Sequence, residues 1–255
     1  MAKKCYYNVS ECSDKLSREH LISAVVLKVA FGDPVRCLTN GEPLGDKYLI
    51  DHEQVLRDVC DTCNSALSTY DEAGAEFVRE LDTFYDPTGR NLPFSQEILG
   101  WLIKTHLNHI RLIRDREHKQ SYVVNQRIKE ALIRHLPLPA ELFRLLIEGW
   151  QGTDSFWDAA SPKKIQYFYY RSLRFRNHDI ALSNFRIKTL DTFFIIPSNN
   201  DYSNFDDRVK SALDELKRER GFSLQHVEPL STIEQRVLAI DKVLPLSEVL
   251  KFIRQ

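Results

Sequence analysis

The chain has 255 residues, of which 43% are hydrophobic, 28% charged and 11% aromatic, enough to bury a sizeable core in one or two domains. No apolar run approaches the roughly 20 residues that cross a membrane, and the N-terminal MAKKCYYNVSEC lacks the apolar stretch of a secretory signal, so the reading is a cytoplasmic protein with reduced thiols. The net charge of −1 conceals three unequal parts: residues 1–99 hold 10 Lys and Arg against 17 Asp and Glu, residues 100–188 hold 16 against 8, and residues 189–255 hold 9 against 11.

In chain order, residues 1–85 carry four of the five cysteines, short apolar runs and turn chemistry at Gly32-Asp33-Pro34, Asn40-Gly41 and Pro43. DPTGRNLP at 86–93 is the expected boundary, giving units at 1–88 and 94–255. Ser95 caps an expected helix in which Leu99, Ile103, Leu107 and Ile110 recur at helical spacing. A second helix is expected over about 121–135, and a third from Pro139 to Glu148, with proline in its favoured first turn. GWQGTDSFWDAASP reads as a loop. KIQYFYYRSLRFR and NFRIKTLDTFFIIP, rich in aromatic and β-branched residues, read as paired strands around Asn177-His178-Asp179. The tail reads as helices at 204–220 and 231–240, the latter opened by the capping box Ser231-x-x-Glu234, and a short one at about 246–254.

Cys5 and Cys12 are spaced C-x6-C, Cys60 and Cys63 are spaced C-x2-C, and 47 residues separate the pairs. Four thiolates from two chain-distant turns satisfy a tetrahedral zinc, which would staple a segment whose own core is thin. The bland alternative leaves Cys5 and Cys12 as ordinary surface and core residues. A redox pair at Cys60 and Cys63 would need a strand and helix arrangement of the thioredoxin type, which the surrounding sequence lacks. Cys37 reads as a core residue.

Between the pairs lies LSREHLIS, so that Cys12 is followed after six residues by Glu19-His20, and the second pair is followed at once by Asn64. This order resembles the HNH endonuclease family, the ββα-metal nucleases, over about residues 5–72. The resemblance implies an N-terminal ββα-metal finger stapled by structural zinc; with the helices and strands expected along the chain, the whole reads as α+β, the finger followed by a mainly helical domain with a short β-hairpin. It also implies that His20 is the general base, that Glu19 holds a catalytic divalent cation, and that Asn64 is its second ligand. Neighbouring strand residues project to opposite sides, so Glu19 could meet a metal while His20 approaches from the side of attack. Oxygen-rich ligation suits Mg²⁺ or Mn²⁺.

In the family an asparagine about five residues before the C-x2-C braces the loop that carries the base. Val55 stands there, and Asn40, His52 and Gln54 are the candidates to replace it. Asp71 lies two helical turns, roughly 10 Å, beyond Asn64 and reads as a structural or supporting residue; Ser68 faces the site but is a poor ligand. Taken alone, Glu19-His20 is a half-exposed surface pair. His106, His109 and His118 read as helix-surface residues. Arg171, Arg174, Arg176, Arg186 and Lys188, interleaved with Tyr167, Phe168, Tyr169, Tyr170, Phe175 and Phe185, form either a nucleic-acid face or the wet side of a sheet. The basic middle is likewise what a polyanion would feel, or merely the solvated face of charged helices.

The expectation is a metal-dependent endonuclease acting on phosphodiester bonds, DNA before RNA, with zinc and Mg²⁺ or Mn²⁺. By analogy it would be a bacterial restriction or anti-phage effector with a regulatory ATPase or sensor subunit. The alternative is a zinc module that binds nucleic acid or protein without cutting.

Overall fold

The computed structural model describes residues 5–31, 38–39, 55–81, 95–117, 123–151, 155–157, 164–187, 190–220, 225–226 and 237–239. It is a mixed α+β protein. The chain enters through an irregular stretch and forms β1 (Leu16–His20), then α1 (Ala24–Phe31), β2 (Leu38–Thr39), β3 (Val55–Cys60) and α2 (Asp61–Glu80). β1 and β3 pair antiparallel, with Leu16 opposite Cys60 and His20 opposite Val55. Between Ser17 and Glu19 the register shifts, so Arg57 and Asp58 face the single Arg18. Such a bulge increases local twist and re-aims side chains. β3 runs without a break into α2, because Cys60 is at once the last strand residue and the helix N-cap, its sulfur accepting the N–H of Cys63 at 3.5 Å.

α2 buries Cys63, Leu67, Tyr70, Gly74, Phe77 and Val78, one stripe at helical spacing, against α3 (Gln96–Glu117). Ser95 begins α3 as expected, its hydroxyl accepting from the Ile98 N–H at 3.2 Å. The contact between α2 and α3 is close enough to exclude a methyl group on both sides. A Cβ on Gly74 would lie 2.4 Å from the Trp101 ring, and one on Gly100 would lie 2.2 Å from the Tyr70 ring. Tyr70 cannot yield freely, since its hydroxyl donates to the Leu132 carbonyl at 3.1 Å. Gly100→Ala is therefore expected to destabilise by about 2 kcal/mol, overpacking outweighing the roughly 1 kcal/mol gain in helix propensity. A urea midpoint equal to or above the parent's would show that the two helices can separate at no cost.

From Leu99 to Arg111 every residue of α3 is buried, including Lys104, Thr105, His106, Asn108, His109 and Arg111. A helix buried all round is a core helix, so the expected surface placement of His106 and His109 is corrected. His106 stacks on Phe194 with ring centroids 5.6 Å apart, and its two nitrogens meet Ser183 Oγ at 3.0 Å and Thr192 Oγ1 at 3.1 Å. His118 lies outside the described residues.

The remaining elements are α4 (Gln126–Ile133), a 3-10 turn at Ala140–Leu142, β4 (Arg144–Gln151), β5 (Ser155–Trp157), β6 (Lys164–Phe175), β7 (Ile180–Ile187), β8 (Leu190–Pro197), α5 (Phe205–Arg220), β9 (Gln225–His226) and β10 (Val237–Ala239). They build an eight-stranded sheet in the order β10-β4-β8-β7-β6-β2, with β5 on β6 and β9 on β4. α3 covers one face; α5 covers the other through Phe205, Val209 and Ala212, which pack on Phe175, Ile180, Leu182, Phe193 and Ile195.

Three expectations are thereby corrected. The helix expected from Pro139 to Glu148 ends after one 3-10 turn, and Arg144 onward is strand, because pairing with β8 from Arg144 opposite Ile195 to Gly149 opposite Leu190 overrides helix propensity. Part of the expected loop after it, Ser155–Trp157, pairs with β6. Within the expected helix at 231–240, Val237–Ala239 is a strand parallel to β4. The part beyond residue 94 is thus organised on a sheet rather than being mainly helical. NFRIKTLDTFFIIP supplies parts of two strands, β7 and β8, instead of one.

The expected boundary at 86–93, the terminal helix and Cys37 lie outside the described residues. One contiguous hydrophobic cluster runs from Cys5 to Ile196, so the cysteine-bearing segment and the sheet share a core through α3. Among the described residues no helix is long and apolar enough to cross a membrane.

Candidate functional site

The four cysteines converge. Cys5, Cys12, Cys60 and Cys63 place their sulfur atoms within 4.8 Å of one another, and the sulfurs of Cys12 and Cys63 are 3.6 Å apart. Tetrahedral zinc with Zn–S bonds of about 2.3 Å requires sulfurs about 3.8 Å apart, so this donor set can hold a metal such as zinc. Two backbone N–H groups already serve the sulfurs: that of Cys60 donates to Cys5 Sγ at 3.4 Å, and that of Cys63 to Cys60 Sγ.

Burial works against a thiolate on Cys60, but hydrogen bonds from Cys63 and Ser13 overcome it and bring its pKa down to about 6. Burial pushes the Cys12 thiol up to about 11, and burial with the crowding of its sulfur neighbours pushes Cys63 up as well. A bound cation would favour the thiolate form of the sulfurs it meets.

The wide C-x6-C spacing has a local cause. Residues between Cys5 and Cys12 are clasped by α4: Gln126 donates to the carbonyls of Tyr7 and Asn8, Lys129 to that of Tyr6, and Arg134 pairs with Glu11 at 2.8 Å.

Beside this clamp lies a cavity of about 320 Å³ lined by Arg18, Glu19, His20, Ser23, Asn64, Ser65, Ser68, Asp71 and Lys104. It brings together all three expected site residues. Strand alternation separates the dipeptide as anticipated: Glu19 is 3% exposed, whereas His20 is exposed. Asn64, in the first turn of α2, donates from its amide to the Arg18 carbonyl at 3.5 Å, which leaves its own side-chain oxygen towards ligands.

The floor of the cavity comes from α3, and the sequence reading missed it. Lys104 Nζ lies 2.7 Å from Asp71 Oδ2 and 3.4 Å from Glu19 Oε1; Arg111 reaches Glu19 Oε2 at 3.5 Å and Asp58 at 3.3 Å. Asn108 donates to Glu19 Oε1 at 3.2 Å and to the carbonyls of His20 and Leu21 at 3.1 Å each, and its oxygen accepts from Arg111 at 2.8 Å. Burial alone would raise the Glu19 carboxyl, but Lys104, Arg111 and Asn108 hold it below the usual range. Asp71 goes the other way: burial and the Glu19 charge outweigh Lys104 and raise its pKa. Asp71 therefore lines the same cavity as Asn64 and stands there as a partner of Lys104.

No protein-family model, no curated protein and no solved structure matches this chain. Asn108 braces the residues that carry His20, from a helix 88 positions downstream. Asn40, His52 and Gln54, the candidates from sequence, lie outside the described residues.

Asn108→Ala removes one acceptor from Arg111 and the donor shared by two carbonyls and a carboxylate. The expected loss is about 3 kcal/mol, as unsatisfied buried groups cost roughly 1–3 kcal/mol each and relax in part. Urea unfolding reads that loss; an effect under about 0.5 kcal/mol would mean that solvent replaces the brace.

Of the basic residues on the aromatic strands, Arg171 and Arg174 lie in β6 opposite Asn184 and Ala181, Arg186 lies in β7 opposite Tyr169, Arg176 opens the 3-10 turn between the strands, and Lys188 is outside the described residues. Phe175 and Phe185 are buried, which gives these two aromatics to the sheet core.

Proposed function

We propose that the cavity hydrolyses phosphodiester bonds of nucleic acid, DNA in the first instance, in the manner of the HNH endonucleases that the first 72 residues resemble. The observation that carries this reading is the splitting of Glu19 and His20 between the floor and the open side of one cavity. Asn64 stands beside them at the start of the helix that the cysteine clamp anchors.

His20 takes a proton from water through an imidazole nitrogen. The water oxygen forms a bond to phosphorus, and the ester P–O bond on the far side breaks. The departing sugar oxygen takes a proton from solvent, leaving a phosphate monoester and a hydroxyl. Arg18, exposed on the same strand and without an ion pair among the described residues, is the group positioned to hold the phosphate. Bound at the four cysteines, zinc would be architectural.

The divalent ion expected on Glu19 and Asn64 fits only half of that pair. The side-chain oxygen of Asn64 suits a hard cation. Glu19 does not, because a lysine and an arginine already face its two oxygens. No step is assigned to such an ion.

His20→Ala is expected to lower duplex nicking by about 10²–10⁴-fold. Zinc content and thermal unfolding should be unchanged, because the side chain is exposed and makes no hydrogen bond among the described residues. Full activity in His20→Ala would remove it as the base. The engagement of Glu19 by internal cations favours one second reading, a zinc-stapled module that binds nucleic acid or protein without cutting. Duplex binding with no nicking by the parent protein would select it.

A further inference from the structure

We propose that Lys104 is the resident cation of this cavity, its ammonium occupying the Glu19 side of the place where the resemblance to the HNH nucleases implies Mg²⁺ or Mn²⁺. Its side chain is 4% exposed and lies between carboxylates from two elements, Asp71 of α2 at 2.7 Å and Glu19 of β1 at 3.4 Å. A divalent ion shared by those two carboxylates would need the same position. An ion on Glu19 Oε1 at the usual 2.0–2.1 Å would be forced against the ammonium and share its charge.

Nor can Glu19 turn outward to meet an ion at the open side. Asn108 and Arg111 fix the carboxylate from behind, and those two are themselves joined at 2.8 Å. An ammonium has three N–H donors. With one donated to Asp71 and Glu19 in ion-pair contact at 3.4 Å, the ammonium keeps an N–H for an oxygen of a bound phosphate. This role for Lys104 towards phosphate rests on the hydrolytic reading above; its exclusion of a divalent ion does not.

The test is a manganese titration of the zinc-loaded full chain, followed by electron paramagnetic resonance. The parent protein is expected to bind no Mn²⁺ beyond its zinc. Lys104→Met is expected to gain one Mn²⁺ per chain, Lys104→Arg to gain none, and adding Asp71→Asn to Lys104→Met to lose the gained ion. A stoichiometric Mn²⁺ on the parent protein overturns the proposal. So does a folded, zinc-bearing Lys104→Met that gains none. Should that variant fail to fold, the parent titration decides by itself.

Nicking supplies the separate arm. Cleavage that persists without added Mg²⁺ or Mn²⁺ supports Lys104 as the working cation. Cleavage that requires either ion overturns Lys104 and leaves hydrolysis standing. A parent protein that neither nicks nor binds nucleic acid ends the hydrolytic reading, while the manganese result still stands for the cation.

Discussion

Stripping a metal held by the four-cysteine cluster, or changing Cys60 to Ser, is expected to unfold the β1, β3 and α2 unit rather than merely loosen it. Residues 5–15 contain no helix or strand; besides the side-chain clasp by Gln126, Lys129 and Arg134, the backbone–backbone bonds that hold them among the described residues are Tyr6 N–H to the Asp58 carbonyl at 2.6 Å, Cys12 N–H to the Val9 carbonyl at 3.2 Å and Asp61 N–H to the Lys15 carbonyl at 3.0 Å. Cys60 and Cys63 are fully buried, and Cys60 both closes the strand and caps the helix. Structural zinc contributes roughly 10–16 kcal/mol of apparent binding free energy in small peptides, as much as the whole stability of an ordinary domain.

The damage would not stay local. Arg111 stacks over the ring of Tyr6 at 5.0 Å while it pairs with Glu19 and Asp58, so melting the N-terminal stretch uncovers a buried guanidinium and its partners. Metal analysis is expected to find zinc near one per chain in the parent protein and little in Cys60→Ser. Amide exchange over residues 5–31 and 55–70 should rise to the unprotected rate in the variant. A zinc-free Cys60→Ser with unchanged protection would demote the four cysteines to packing residues.

How much of this was legible in the sequence follows from the range of each signal. The spacing of the cysteine pairs pointed to a four-sulfur site, whereas the meeting of Glu19, His20 and Asn64 beside it was expected from the resemblance to the HNH nucleases. α3 shows the opposite. Its apolar stripe, Leu99, Ile103, Leu107 and Ile110, announced one buried face, and the polar residues between looked like the solvated remainder. Lys104, Asn108 and Arg111 fall at i, i+4 and i+7, a second helical stripe whose partners, the buried Glu19 and the half-buried Asp58 and Asp71, lie 33 to 92 residues away. Periodicity marks a polar face without saying whether water or a carboxylate meets it. The strand at 144–151 failed for a related reason: β4 is held by β8, β9 and β10, all distant in sequence, and a short run such as RLLIEGWQ is ambiguous between helix and strand.

Mild acid is expected to destabilise the protein well before its carboxylates titrate, through the buried His106 and His109 of α3. Burial holds His106 well below the ordinary histidine pKa, with His109 adding to the effect, and burial lowers His109 to about 3. Both are depressed groups, so the stability they permit is fully present above the unfolded value of about 6.5. It is lost as pH falls towards the folded value, because the unfolded chain takes up protons that the folded chain refuses.

Each histidine contributes a slope of about 1.4 kcal/mol per pH unit once the unfolded form is protonated, or roughly 2.7 kcal/mol per unit for the pair between pH 6 and 4.5. Glu19 is also depressed, and its contribution disappears only below the usual carboxylate range. Asp71 is raised and acts in the opposite sense. Proton uptake by the cysteines adds its own slope in zinc-loaded protein, so the discriminating quantity is a difference. Urea unfolding across this range should show a slope smaller by about one proton in His109→Gln than in the parent. Equal slopes would mean that His109 gains its proton inside the fold, and that α3 is less tightly enclosed between the cavity and the sheet than its burial requires.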